Sequence, residues 1–238
     1  MRVAILSDIH GNRHALQSVL SAVDANSVDQ TWCLGDVVGY GADPDACCAL
    51  MRERADVCLA GNHDLAVTGE IPTDEFARGA AVAAEWTRET IDPGHLEWLQ
   101  TLRPSADVEG VALYHGSPRE PIWEYVLDPL SATISMDVQS ERVACIGHSH
   151  VALSYHRPPE GDAAGTRRED GDDIALDPGE WLLNPGMGLE KLMRDWGFTN
   201  FEFGWLVDTE MAIYCVVIAG IWQSAGFAMA LFLAGLRG

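Results

Sequence analysis

A chain of 238 residues with 47% apolar side chains is long enough for one sizeable core plus an appendage. Its 36 Asp and Glu against 15 Lys and Arg leave a formal charge of −21, a field that repels duplex nucleic acid. The six cysteines (Cys33, Cys47, Cys48, Cys58, Cys145, Cys215) form no C-x-x-C pair, which excludes a cysteine zinc site and a disulfide scaffold.

In chain order, the apolar run Arg2–Ser7 predicts a buried strand that ends in the polar string Asp8-Ile9-His10-Gly11-Asn12. His14–Val23 has helical spacing through Leu16, Val19, Leu20 and Val23. Thr31–Leu34 is a second strand, ending in Gly35-Asp36. Asp43-Pro44 is an N-cap followed by proline at the first helical position, opening a helix to about Arg54. Val57–Ala60 is a third strand, ending in Gly61-Asn62-His63-Asp64. This β-α-β-α-β alternation predicts an α/β domain with a largely parallel sheet. Helices are expected over Thr73–Thr90 and His95–Leu102, and strands over Val111–Tyr114 and Arg142–Ile146, with Val151–Tyr155 as hairpin partner of the latter. Arg157–Asp177, rich in Pro, Gly and charge, reads as a surface loop before a last strand, Trp181–Leu183.

Five polar clusters each follow a strand: Asp8 with His10, Asp36, Asn62 with His63, His115, and His148 with His150. In open α/β sheets ligands bind beyond the carboxyl ends of the strands, so all five should collect on one rim. They offer His, Asp and Asn donors and no thiolate, a set suited to Mn²⁺, Fe²⁺, Zn²⁺ or Ni²⁺. Leaving His63 aside, the seven other such side chains exceed one tetrahedral zinc and fit two metals sharing a carboxylate, an arrangement that clamps a phosphoryl group.

These motifs, D-x-H (Asp8, His10), G-D (Gly35-Asp36), G-N-H-D (Gly61–Asp64), His115-Gly116 and G-H-x-H (Gly147–His150), resemble the signature of the calcineurin-like metallophosphoesterase superfamily. Leu34–Gly41 (LGDVVGYG) is similar to its small prokaryotic phosphodiesterase-like branch. The resemblance covers residues 1–186. It implies two packed mixed β-sheets flanked by helices, and hydrolysis of phosphomonoesters or phosphodiesters by a bridging hydroxide between two divalent ions, Mn²⁺ first among them. It implies that Asp8, His10 and His150 hold one metal, that Asn62, His115 and His148 hold the other, and that Asp36 bridges them. His63 would be the catalytic histidine. Protein phosphatases of the superfamily carry G-D-x-x-D-R-G; here Gly39 and Tyr40 replace the acid and the arginine, which argues against phosphoprotein substrates. Small phosphorylated metabolites or nucleotides are the expected substrates. Their choice should rest on Tyr40, the 70–78 stretch and the segment after His115.

Composition changes after Gly186. Lys191 is the only lysine, and Phe76 the only phenylalanine before residue 187, while five follow it. Met211–Leu236 is a run of 26 uncharged residues, beyond the roughly 18 that mark a candidate membrane span. Residues 187–238 resemble a fragment of an ATP-binding-cassette sugar-transporter permease, most clearly at Ile221–Gly238 (IWQSAGFAMALFLAGLRG). The expectation is two segments of separate origin: a catalytic domain over 1–186, cytoplasmic because no signal peptide opens the chain, and a hydrophobic tail over 187–238 with a helix at 211–236 that could meet a membrane. The competing expectations are a transport-permease fragment, or a chimeric pseudoenzyme whose second sheet is left unfinished.

Overall fold

The computed structural model describes residues 1–169 and 172–186, which belong to one compact unit, Met1–Gly188. The expected tail, 187–238, and its candidate span, 211–236, lie outside the described residues. Among those described, no helix is long and apolar enough to cross a membrane.

The first sheet is parallel throughout, in the order β1 (Val3–Leu6), β2 (Gln30–Cys33), β3 (Val57–Cys58). Its crossovers are α1 (Arg13–Ala25) and α2 (Pro44–Arg54). The Asn12 side chain caps α1 by accepting from the Ala15 N–H at 3.1 Å. Asp43 precedes α2 as expected, but its carboxylate makes no capping bond and faces Arg13 at 3.7 Å instead. Three helices follow: α3 (Asn62–Thr68), α4 (Arg78–Thr90) and α5 (Pro93–Leu99). The helix expected from Thr73 starts five residues later, because Thr73–Ala77 turns and sends Phe76 against His63.

The second sheet is mixed and runs β4 (Ser105–Val108), β5 (Val111–Tyr114), β6 (Val143–Cys145), β9 (Glu180–Asn184), β7 (Leu153–Arg157), β8 (Ala164–Arg167), with α6 (Pro129–Met136) joining β5 to β6. Strands β5, β6 and β9 are mutually parallel. Two expectations fail here. The partner of β6 is β9, and β9 separates it from β7. The loop between β6 and β7, residues 146–152, carries His148 and His150 to the strand ends, and β9 takes the place beside β6 that a hairpin partner would fill. β9 suits a central position because Leu182 and Leu183 are apolar on both faces. The expected loop 157–177 contains β8, an edge strand with all four residues exposed, held by its ladder to β7.

Period-2 alternation sorts the side chains into layers. Ala4, Leu6 and Cys33 face Leu16, Leu20, Cys47 and Met51 of the outer helices. Val3, Ile5, Trp32 and Val57 point the other way, onto Val111, Leu113, Cys145 and Leu183 of the second sheet. Ala112, Ala144 and Leu182 then face Ala132 and Met136 of α6. The result is a helix–sheet–sheet–helix stack. The carboxyl ends of β1, β2, β3, β5 and β6 each lead directly into one of the predicted polar clusters.

Candidate metal centre

All eight predicted side chains come together at these strand ends, and all but His150 are buried. The chain turns sharply to place them. Asp8, His10, Asp36, His148 and His150 hold φ between 50° and 63°, a region that non-glycine residues rarely occupy. Backbone approach is equally close: a Cβ on Gly61 would lie 2.0 Å from Asp36 Oδ1. Asp36 Oδ1 accepts from the His63 backbone N–H at 2.9 Å, and Asp8 Oδ1 accepts from the His148 N–H at 3.2 Å.

Donor atoms gather in three groups, each within 4.8 Å: Asp8 with His10 and His150; His10 with Asp36 and His63; Asp36 with His115 and His148. Asp36 Oδ2 stands 3.5 Å from His10 Nε2 and 3.6 Å from His115 Nε2. His10 Nε2 is 3.1 Å from His150 Nε2, which is 3.5 Å from Asp8 Oδ1. His115 Nε2 is 3.1 Å from Asn62 Oδ1.

The outward nitrogens assign the tautomers. His10 Nδ1–H donates to the Val38 carbonyl at 3.3 Å, and His115 Nδ1–H to the Leu34 carbonyl at 2.9 Å. His148 donates from Nε2 to the Trp123 carbonyl at 3.1 Å. The inward nitrogens of His10 and His115 are therefore lone pairs that face the Asp36 carboxylate, acceptor against acceptor. Asp8 Oδ2 is buried with no hydrogen-bond partner. Cations between these groups would satisfy them, so the residues fit divalent metals.

Electrostatics agree. Burial lowers His10 well below the usual imidazole range, with neighbouring imidazoles adding to the effect. It takes His63 and His148 down to about 3 and lowers His115 as well. Neutral imidazole is the metal-binding form. Burial, then the Asp64 and Asp8 carboxylates, push Asp36 well above its ordinary value, a repulsion that bound cations would reverse.

Asp64 is not a member of the donor groups. Its carboxylate accepts from the backbone N–H of Gly61 (2.9 Å), Val38 (3.0 Å) and Val37 (3.2 Å), tying the segment around Asp36 to the start of α3. Gly39 explains the departure from the phosphatase motif. With φ +94°, a Cβ there would lie 2.4 Å from His63 Nδ1, which has no hydrogen-bond partner. No acid supports His63 from that position. Sequence reasoning missed Trp123 and Tyr125. Both lie against His148, and no motif spans them.

The sequence profile of the calcineurin-like phosphoesterase superfamily domain matches residues 1–195. The chain belongs to this superfamily. It is a metal-dependent phosphoric ester hydrolase by family, with buried His/Asp clusters consistent with a binuclear metal site. An uncharacterized protein of Methanocaldococcus jannaschii is 31% identical over 189 residues, covering 77% of this chain and 74% of that protein. The crystal structure of a metallophosphoesterase from Sphaerobacter thermophilus superposes with a TM-score of 0.68 at 36% identity, covering 79% of this chain and 76% of that one. A stretch of 58 residues is 38% identical to a probable ABC transporter permease protein of Pyrococcus horikoshii, covering 24% of this chain and only 20% of the permease.

Proposed function

We propose that residues 1–186 hydrolyse small phosphomonoesters or phosphodiesters with two divalent metal ions. Asp8, His10 and His150 would hold one ion, Asn62, His115 and His148 the other, and Asp36 would be shared. The observation that carries this reading is the position of Asp36 Oδ2, almost equidistant from His10 Nε2 and His115 Nε2. The donor set suits Mn²⁺, Fe²⁺, Zn²⁺ or Ni²⁺, and the family resemblance puts Mn²⁺ first. Bound there, such ions would supply Lewis-acid polarisation of phosphoryl oxygens and a lowered pKa for water. The chain's own part is to hold the ligands rigid, through left-handed turns and carbonyls that fix the imidazoles, and to keep His63 beside the phosphoryl position. His63 would contact the phosphoryl oxygens or return a proton to the leaving oxygen. The net charge of −21 favours nucleotides and phosphorylated metabolites over duplex nucleic acid.

The test is hydrolysis of bis-p-nitrophenyl phosphate and p-nitrophenyl phosphate by the full chain with Mn²⁺, beside Asp36→Asn and His63→Ala. Both variants should lose on the order of a hundredfold or more in rate. Full activity in Asp36→Asn would remove the shared-ligand reading, and the better ester assigns the class.

The second segment carries a separate reading. We infer that residues 187–238 derive from a permease and were joined to the catalytic domain, supported by the composition change after Gly186 and the permease similarity. A genomic read across codons 180–200 tests it. Intact DNA spanning the join in independent isolates would overturn the idea of an artefactual fusion.

A further inference from the structure

Aromatic rings border the candidate metal centre among the described residues. Among the described residues, no Arg or Lys hydrogen-bonds or pairs with any of the eight site side chains. Arg119, in the segment after β5, is committed to Glu124, with Nε to Oε2 at 3.0 Å. What stands there instead is a run of rings in contact. Tyr40 lies 4.5 Å from His63 and 4.8 Å from His10, centroid to centroid. Phe76 meets His63 and Trp123 edge-on, each at 5.0 Å. Trp123 approaches His148 at 6.4 Å, and Tyr125 stacks on His148 at 4.1 Å with 16° between the planes.

Phe76 and Trp123, in the middle of this run, are half-buried. The rings at its two ends, Tyr40 and Tyr125, remain 45% and 55% exposed. A single exposed tyrosine on a loop needs no explanation. A tyrosine held parallel against an imidazole of the donor groups is different, because one π-face is fixed beside the candidate metal centre while more than half of the residue stays exposed. Such a surface recognises a flat partner without using charge. Among the described residues, no guanidinium or ammonium contacts the site side chains to receive the extra charges of a long polyphosphate.

Resting on the phosphoesterase reading above, we propose that Tyr125, with Tyr40 at the other end of the ring run, forms a stacking subsite for a heteroaromatic base, so that the substrates are nucleoside esters carrying a single phosphate group.

Adenosine 5′-monophosphate and ribose 5-phosphate share the scissile bond and differ only in the base. Their affinities, measured by calorimetry on Mn²⁺-loaded full-length His63→Asn protein, should differ by about tenfold in favour of the nucleotide. The ratio of kcat/KM for the two esters in the unsubstituted enzyme should move the same way. Tyr125→Leu should bring both ratios towards one, while Tyr125→Phe and Tyr125→Trp keep them, which separates a stacking role from a loss of fold. Equal affinities for the two esters, binding of neither, or a preference that survives both Tyr125→Leu and Tyr40→Leu would overturn the proposal. Hydrolysis of bis-p-nitrophenyl phosphate, measured on the same preparation, reports on the phosphoesterase reading independently of these ratios.

Discussion

Asp8, His10, Asp36, His148 and His150 each hold a left-handed backbone that costs on the order of 1 kcal/mol in a non-glycine residue. That strain is concentrated in the residues that offer donor atoms, so the fold keeps it for the sake of ligand geometry. His150→Gly should therefore leave the melting temperature of the metal-free protein unchanged or raised, while lowering the metal bound after dialysis. Asp64 acts differently. Its carboxylate satisfies three buried backbone N–H groups that bracket Asp36, and Asp64→Ala orphans all three. The expected loss is on the order of 3 kcal/mol in a denaturant melt, with weakened metal binding alongside. At Gly39 the space is filled by His63, so restoring the phosphatase-like acid as Gly39→Asp should displace the imidazole and abolish hydrolysis. At this scale the candidate ligands were legible because their clusters follow apolar runs and each cluster contains or adjoins a glycine (Gly11, Gly35, Gly61, Gly116, Gly147). The roles of Asp64 and Gly39 were not, because both depend on contacts 24 to 27 residues away in sequence.

Between the sheets, Leu113 and Trp32 form a layer that solvent does not reach. Leu113→Ala should cost about 2–5 kcal/mol by chemical denaturation, since neighbours in two sheets collapse poorly around the cavity. On the outside, α6 starts at Asp128, whose carboxylate accepts from the Leu130 and Ser131 N–H groups at 2.8 and 3.0 Å. Asp128→Ala should cost about 1 kcal/mol and leave the metal centre intact. The parallel first sheet was legible in the sequence because βαβ units announce themselves by apolar strands, caps and helical periods. The second sheet was less so. β8 has no buried face, and β4 alternates only Ala106 and Val108 against polar neighbours. The order β6-β9-β7 is a long-range pairing that local pattern does not encode. α3 was overlooked because its seven residues open on the polar string Asn62-His63-Asp64.

At the scale of the whole molecule, two packed sheets direct five strand ends to one place, and the chemistry follows from that convergence. Motif order along the chain was enough to foresee it, since every parallel strand presents the same end. The aromatic rings around it were harder to read: they come from the loop after β2, the turn before α4 and the segment after β5, with no shared spacing. The central claim is that two metal ions sharing Asp36 act together. It is tested most directly by stripping the full-length protein with a chelator and adding Mn²⁺ stepwise while following hydrolysis of bis-p-nitrophenyl phosphate and bound metal in parallel. Activity should stay low through the first equivalent and rise as the second binds, and Asp36→Asn should not reach it. Full activity after one equivalent, or in the stripped protein, would contradict the account.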